Sequence, residues 1–375
     1  MKRIIDIYHI YWGTAGNAGL YLDEIYQALE SEGYSQKAFV SYYYPFNYGE
    51  KVFFKRTEME HCQYKGIVRK VLQVIELLYA LFLIWQNSRK DKPRIINYSY
   101  VSRGNVFILL FLKFIKKASC CKLVITCHDV IPIIENKTLY DKEIAIKTKI
   151  YSLADYYLVH TETSRNELLQ MFPVEDNQIL MHLFPLMDLS KLDKGKGFIS
   201  TKYDFLFIGH MRPEKGVPLL LEAWKQYHRE FPQSTLCIAG NPYYYKTYID
   251  EQRASLEKEG VDFKLGFIKD DEYIRIVKSA KCVVFPYTGG TNSGVISTVV
   301  SLGKDVITSD LGMFANNPFV PKENMSKTGD VESLVDKLTE YKRGMLISDS
   351  KERVSEFRMV FKEQVKEAYS HIMQS

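Results

Sequence analysis

Cysteine is scarce and unpatterned. Six residues, Cys62, Cys120, Cys121, Cys127, Cys237 and Cys282, are spread over 375 positions, and no spacing among them is that of a metal-ligand set. Neighbouring Cys120 and Cys121 do not bridge each other easily, and Cys127, Cys237 and Cys282 sit in apolar, strand-like runs. Buried thiols in a reducing cytoplasm are the simplest reading. Long apolar runs are also missing. The longest, residues 71–85, contains Gln73 and Glu76 and is too short and too polar to span a bilayer, so it reads as a buried or interfacial helix. Asp6 interrupts the apolar stretch at the start, and no secretory signal is expected. A net charge of +5 is small for this length, which argues against bulk nucleic-acid binding. There is no G-x-x-x-x-G-K-[ST] loop, so a P-loop phosphotransferase is not expected. No acidic residue ends the second strand, where a nicotinamide dinucleotide would want one, and Gly13, Gly16 and Gly19 match a dinucleotide fingerprint only loosely.

What is present is the material of packed domains. Hydrophobic residues make up 46% and charged residues 25%, which places the chain among folded rather than disordered proteins. Its length suggests about two domains. Tyrosine is abundant, which suits pockets with both polar and apolar walls. Between Lys92 and Lys122 stand Arg94, Arg103, Lys113, Lys116 and Lys117 and no acid, with Lys65, Arg69 and Lys70 just upstream. Two readings stand: a solvated face, or an electropositive surface for anionic lipid or an anionic acceptor at the inner face of a membrane.

Strand and helix signals alternate through the first half. Residues 3–10, 37–44, 94–99, 122–126 and 156–160 read as strands, while 67–87, 106–117 and the stretch after Thr163 read as helices. Residues 183–202, with Pro185, Lys191, Lys194, Gly195, Lys196 and Gly197, break the rhythm. The alternation then restarts, with strands at 204–209, 235–239, 262–265, 282–286 and 305–309 and helices between them. This pattern predicts an α/β fold of two Rossmann-like domains with parallel sheets. The expected division is residues 1–187, a linker at 188–202, a second domain at 203–350, and a C-terminal helix at 351–375 that crosses back to the first.

Ligands of open parallel sheets bind at the carboxyl ends of strands, beside helix N-termini. Three such ends stand out. The first is Gly209-His210-Met211-Arg212-Pro213-Glu214-Lys215-Gly216, where two cations beside free helix amides suit a diphosphate. The second is Gly289-Gly290-Thr291-Asn292-Ser293-Gly294-Val295, whose glycines admit a ligand to the backbone and whose Asn292 or Ser293 is a candidate helix cap. The third is Thr126-Cys127-His128-Asp129, a histidine at a strand end in the first domain. Each has an ordinary alternative: a charged surface turn, a plain strand-to-helix turn and a packed histidine.

In this order along nearly the whole chain, these segments resemble the GT-B glycosyltransferases, specifically glycosyltransferase family 4. The turn from Phe207 to Gly216 is similar to that family's donor-diphosphate turn, and Gly266-Phe267-Ile268 with Asp271-Glu272-Tyr273 to its nucleobase side. Ser293-Gly294-Val295 through Thr298 to Ile307 resembles the run from donor-sugar loop to next strand. The resemblance implies two Rossmann-like domains facing across a cleft. It also implies retaining, metal-independent transfer of a sugar from a nucleotide-sugar donor to a glycan or lipid-linked acceptor, in bacterial surface polysaccharide synthesis. No cofactor is implied, and the protein is expected in the cytoplasm.

The same resemblance assigns catalytic roles to His128, Arg212 and Lys215. It assigns donor binding to Gly13, Gly16, Gly209, His210, Gly266, Ile268, Asn292, Ser293, Gly294, Val295 and Thr298. Acceptor contacts would come from Tyr42, Tyr43, Tyr44 and Phe46 and from the loop after Ile10. The chain departs from the family where two glutamates eight positions apart are usual: Gly290 and Thr298 stand there, and His210 replaces the usual arginine of the turn. The alternatives these departures leave are a GT-B protein that binds a nucleotide sugar or glycan without turnover, and a nucleotide-sugar epimerase of the same fold.

Overall fold

Short apolar runs rich in Ile, Val, Phe and Tyr pair side by side, and the amphipathic stretches between them form the crossovers that parallel pairing requires. The computed structural model describes residues 5–11, 18–44, 46, 49–57, 62–99, 106–118, 120–132, 134, 136–189, 199–290, 293–348 and 350–375. Two compact units result. One comprises residues 1–185 and 360–375, the other residues 186–359.

Among the described residues the first unit holds seven strands: β1 (Ile7–Tyr11), β2 (Gln36–Ser41), β3 (Gly49–Phe53), β4 (Ile95–Ser99), β5 (Lys122–Thr126), β6 (Tyr156–Val159) and β7 (Ile179–Met181). They form one parallel sheet in the order β3-β2-β1-β4-β5-β6-β7. Every residue of β1 and β4 is buried, as central strands covered on both faces must be. The intervening helices are α1 (Ala18–Ser31), α2 (Gly66–Asp91), α3 (Val106–Ala118), α4 (Lys137–Tyr151) and α5 (Glu162–Met171). Leu77 and Ile84 of α2, Leu112 of α3 and Tyr151 of α4 close the core against Tyr8, Ile96 and Ile125.

The second unit repeats the plan with β8 (Tyr203–Ile208), α6 (Val217–Glu230), β9 (Leu236–Gly240), α7 (Lys246–Lys258), β10 (Val261–Leu265), α8 (Asp270–Lys278), β11 (Ala280–Phe285), α9 (Gly294–Ser301), β12 (Asp305–Ser309), α10 (Gly312–Ala315), β13 (Met325–Ser326) and α11 (Val331–Lys342). Its parallel sheet runs β10-β9-β8-β11-β12-β13. Phe205 of β8 packs edge-on against Tyr227 of α6 at 5.6 Å, and the Trp224 indole donates to the Glu259 carbonyl at 2.8 Å.

The last helix, α12 (Ser350–Gln374), is divided between the units. Phe357 stacks edge-on with Phe319 of the second unit at 5.0 Å. Further along, the Asn97 amide donates to the Tyr369 hydroxyl at 2.7 Å and Lys122 donates to the Ile372 carbonyl at 2.9 Å, both within the first unit.

The α/β reading and the parallel pairing agree with the sequence pattern. Strands β5 and β12 fall on the residues expected. The strand expected at 37–44 stops at Ser41, where Tyr42 and Tyr43 turn out of the sheet. Strands β3, β7 and β13 and helix α4 were not anticipated. Most of the linker segment, residues 190–198, lies outside the described residues, as do Gly13, Gly16, Arg103, Thr291 and Asn292.

Candidate functional site

In the second unit the strand order reverses between β8 and β11, and the segments that leave these two strands lie against each other. Beyond Ile208 the chain passes Gly209 (φ +141°), whose N–H donates to the Ala239 carbonyl at 3.0 Å. Met211 is anchored through its N–H to the Asn241 carbonyl at 2.9 Å, and a single 3₁₀ turn follows at Pro213–Lys215. Gly216 then takes a left-handed conformation (φ +67°) and opens α6. A Cβ at Gly216 would stand 1.8 Å from the Pro286 carbonyl oxygen, so only glycine lets this turn press onto the exit of β11. The Thr288 N–H donates to the Glu214 carbonyl at 2.9 Å and ties the two segments together.

Lys215 comes out of this turn with its Nζ 3.8 Å from the centroid of the Tyr287 ring. Burial, and then the neighbouring Arg212 guanidinium, lower the Lys215 pKa to about 8, against the opposing pull of Glu214. Tyr287 is buried, which pushes its phenol up to about 12. Arg212 is held differently from the free cation that the sequence suggested: its Nε lies 2.7 Å from Glu214 Oε1 in a partly exposed ion pair. Arg212, Glu214 and Lys215 therefore sum to one positive charge. His210 is exposed at the rim.

Across this edge, α9 begins at Gly294 with Ser293 as an N-cap whose side chain makes no capping bond. Val295 meets the turn directly, since a Cβ at Gly209 would lie 3.9 Å from Val295 Cγ2. Thr298 is 0% exposed, and its hydroxyl is committed to the Val295 carbonyl and the Tyr273 hydroxyl, each at 2.8 Å. Gly266 closes β10 with φ +124° and donates to the Gly240 carbonyl at 2.9 Å. Ile268 is half-buried beyond it, and Phe267 between them is 76% exposed.

The structure thus gathers Gly209, Arg212, Lys215 and Val295 at one reversal point, with Gly266 and Ile268 at the end of an outer strand. Two partners had gone unrecognised: Tyr287, the floor under Lys215, and Tyr273, the partner of Thr298. Both come from segments distant in sequence, so only the sheet order could have pointed to them.

In the first unit, His128 follows β5, His160 follows β6 and His182 follows β7, so three neighbouring strands each end at a histidine. His128 stands edge-on to Tyr21 of α1 at 4.5 Å and lies 5.2 Å from His160. His182 Nδ1 donates to the Leu183 carbonyl at 2.8 Å, which leaves its Nε2 to accept from the Tyr21 hydroxyl at 3.2 Å. His160 Nδ1 donates to the His182 carbonyl at 3.3 Å. Burial lowers the pKa of His128 to about 3 and of His182 to about 4, and it holds His160 well below its usual value. The rings are therefore neutral at pH 7. Among the described residues no three His, Cys, Asp or Glu side chains are placed to hold a metal ion. The recurrence of histidine at strand ends was a signal available in the sequence beyond His128 alone.

Residues 202–341, most of the second unit, match the family described as glycosyl transferases group 1. No curated protein matches the chain. Among solved structures, Anabaena Alr3699/HepE in complex with UDP is similar at a TM-score of 0.64 and 13% identity, over 98% of this chain and 99% of that one. TarM is similar at a TM-score of 0.65 and 10% identity, over 99% of each chain. The lipopolysaccharide outer core galactosyltransferase WaaB, in its apo form, is similar at 0.58 and 12% identity, over 98% of this chain and 99% of that one. The fold is accordingly GT-B, a pair of Rossmann-like domains.

Proposed function

We propose that this protein is a retaining, metal-independent glycosyltransferase that moves a sugar from a nucleotide diphosphate donor to a hydroxyl of a glycan or lipid-linked acceptor, in surface polysaccharide synthesis. The observation that carries the reading is the Lys215 ammonium. It is partly desolvated on the Tyr287 ring, at the point where the β8–β11 order reverses. As the bond from the anomeric carbon to the diphosphate oxygen breaks, negative charge gathers on the leaving group, and a cation already partly desolvated stabilises it with little reorganisation. The new bond forms from the acceptor oxygen, whose proton passes to the departing diphosphate. Arg212 adds a second donor by exchanging Glu214 for phosphate, and Gly209 and the amides of Gly294 and Val295 admit the diphosphate to the backbone.

His128 lies in the first unit, and we assign it to the hydroxyls of the donor sugar, where a neutral ring can both donate and accept. Gly13, Gly16 and Asn292 keep their proposed donor contacts on the strength of the family resemblance alone. Uridine is the first base to test, because Alr3699/HepE was solved with UDP.

A second reading has its own support. Thr298 is sealed under Tyr273, and Gly290 has no side chain, so neither offers a donor the carboxylate usual in the family. A protein that binds a nucleotide sugar without turnover would fit that.

One assay separates the two. A thermal-shift panel of nucleotide sugars should identify a donor that, at about 100 times its Kd, stabilises the protein by about 2.7 kcal/mol. Incubating that donor with glycan acceptors should then yield product, and Lys215→Ala should lower kcat/KM by about two to three orders of magnitude. Stabilisation without product selects the binding reading. Unchanged kinetics in Lys215→Ala removes Lys215 from the chemistry.

A further inference from the structure

Helices α2 and α3 of the first unit bury one side and leave the other strongly apolar. On α2, Val71, Ile75, Leu78 and Phe82 recur at i, i+4, i+7 and i+11, which places them on one face, and Leu78 and Phe82 are 54% and 52% exposed. On α3, Leu110 and Phe114 are 58% and 52% exposed. The two rows join, because Trp85 lies 5.8 Å from Phe82 and 6.0 Å from Phe114. A soluble monomer rarely shows an apolar patch beyond a few hundred Å². This one runs along most of a helix that is about 39 Å long at 1.5 Å per residue.

The charges around it have one sign. α2 has two acids, and both are engaged within the fold. Glu76 accepts from the Arg56 N–H and the Thr57 hydroxyl at 2.8 and 2.7 Å, and Asp91 accepts from the Tyr8 hydroxyl at 2.6 Å. α3 has none. Lys113 and Lys117 continue the exposed row of α3, and the Arg89 guanidinium lies 5.1 Å from the Trp85 ring. The basic run of residues 92–122 is not itself one surface. Lys116 is paired with Asp155 at 2.8 Å, and Arg94 and Lys122 donate to carbonyls of α12.

We propose that the α2–α3 face is a membrane-docking surface that seats the apolar row shallowly in an anionic bilayer, with its cations at the headgroup level. An apolar face bordered by Lys, Arg and Trp is the composition of an interfacial helix, and no helix among the described residues is long and apolar enough to cross a membrane. A second copy of the chain does not suit the face, since pairing it with itself would set lysine against lysine with no acid between them. Anionic phospholipid supplies both the missing charge and the apolar layer. The inference is independent of the proposed reaction.

Flotation of the full chain on vesicles tests it. Binding is expected to phosphatidylcholine vesicles containing phosphatidylglycerol and not to phosphatidylcholine alone. High salt should weaken it without abolishing it, because the apolar row stays inserted. Leu78→Glu with Phe82→Glu should lower partitioning by roughly tenfold or more, and Lys113→Glu with Lys117→Glu by a similar factor. All four side chains are exposed, so both variants should melt as the parent does. Failure of the parent chain to float, or unchanged flotation of the Leu78/Phe82 variant, would overturn the proposal. So would a parent that is dimeric in solution and becomes monomeric in that variant, which would make the face a protein interface.

Discussion

At the scale of single residues, an ammonium drawn out of water favours its neutral form, and Lys215 illustrates what that implies. Its pKa falls from 10.5 when unfolded to about 8 in the folded unit, so the unfolded chain holds this proton more tightly. Below pH 8 the charged side chain therefore works against folding, and stability rises with pH between about 8 and 10.5. The ring of Tyr287 offsets part of that cost. Lys215→Met keeps the unbranched stem on the ring and removes the charge. We expect it to raise stability by about 1 kcal/mol at pH 7 while losing any stabilisation by donor. Calorimetric scans with and without nucleotide sugar would show both effects. A lower melting temperature, or donor stabilisation that survives the substitution, would mean that Lys215 is an ordinary packed lysine. For the parent chain, donor affinity should decline as the pH passes above 8 and the ammonium is lost.

At the scale of elements, what could be read beforehand follows locality. The turn between β8 and α6 was legible because strand, turn and helix are consecutive and each carries its own pattern. The Tyr287 floor is not, because it follows β11, more than seventy residues later, and is brought in through the strand order alone. Strand β7 has three residues and β3 reads Gly-Glu-Lys-Val-Phe, too short or too mixed for a period-two signal. Helix α4 is dense in charge, yet Asn136 caps it by accepting from the Leu139 N–H at 3.1 Å, a start signal the sequence carries without an apolar period behind it. Thr298 was read as a ligand from its place in a motif, whereas its burial under Tyr273 depends on how α8 packs. The seam between the two strand exits makes its own prediction. Gly216→Ala adds a Cβ in a left-handed conformation and drives it into the Pro286 carbonyl. The cost should be about 3 kcal/mol or more, seen as a lower urea midpoint with an unchanged slope, and donor binding should weaken as the Lys215 turn is displaced. A midpoint within error of the parent would show that the turn has room to move.

At the scale of the whole molecule, buried histidine is distributed unevenly, and this sets how the chain meets acid. His9, His160 and His182 are buried in the first unit, with pKa values of about 4 for His9 and His182 and well below the usual value for His160, and His128, lowered to about 3, lies beside His160. The second unit has His210, which is exposed, and His228. Desolvation is the leading cause of every shift, so in each case the buried surroundings disfavour the charged ring. The folded values lie below the unfolded 6.5, so the unfolded chain binds the extra protons. The contribution of these groups to stability is therefore complete above pH 6.5 and drains away as the pH falls toward 4. Between pH 7 and 5 the loss is on the order of 1–2 kcal/mol for each of His9 and His182, and His128, His160 and His182 titrate as a set because their rings adjoin. Hydrogen exchange followed by mass spectrometry reads the two units separately. Protection of β1, β5 and β6 should fall between pH 7 and 5, after correction for intrinsic exchange, while that of β8 and β11 holds. Equal losses in both sheets would assign acid sensitivity to carboxylates spread over the chain. His182→Gln should shrink the acid-dependent part of the loss, because an amide can still accept from Tyr21 and donate to a carbonyl but does not titrate.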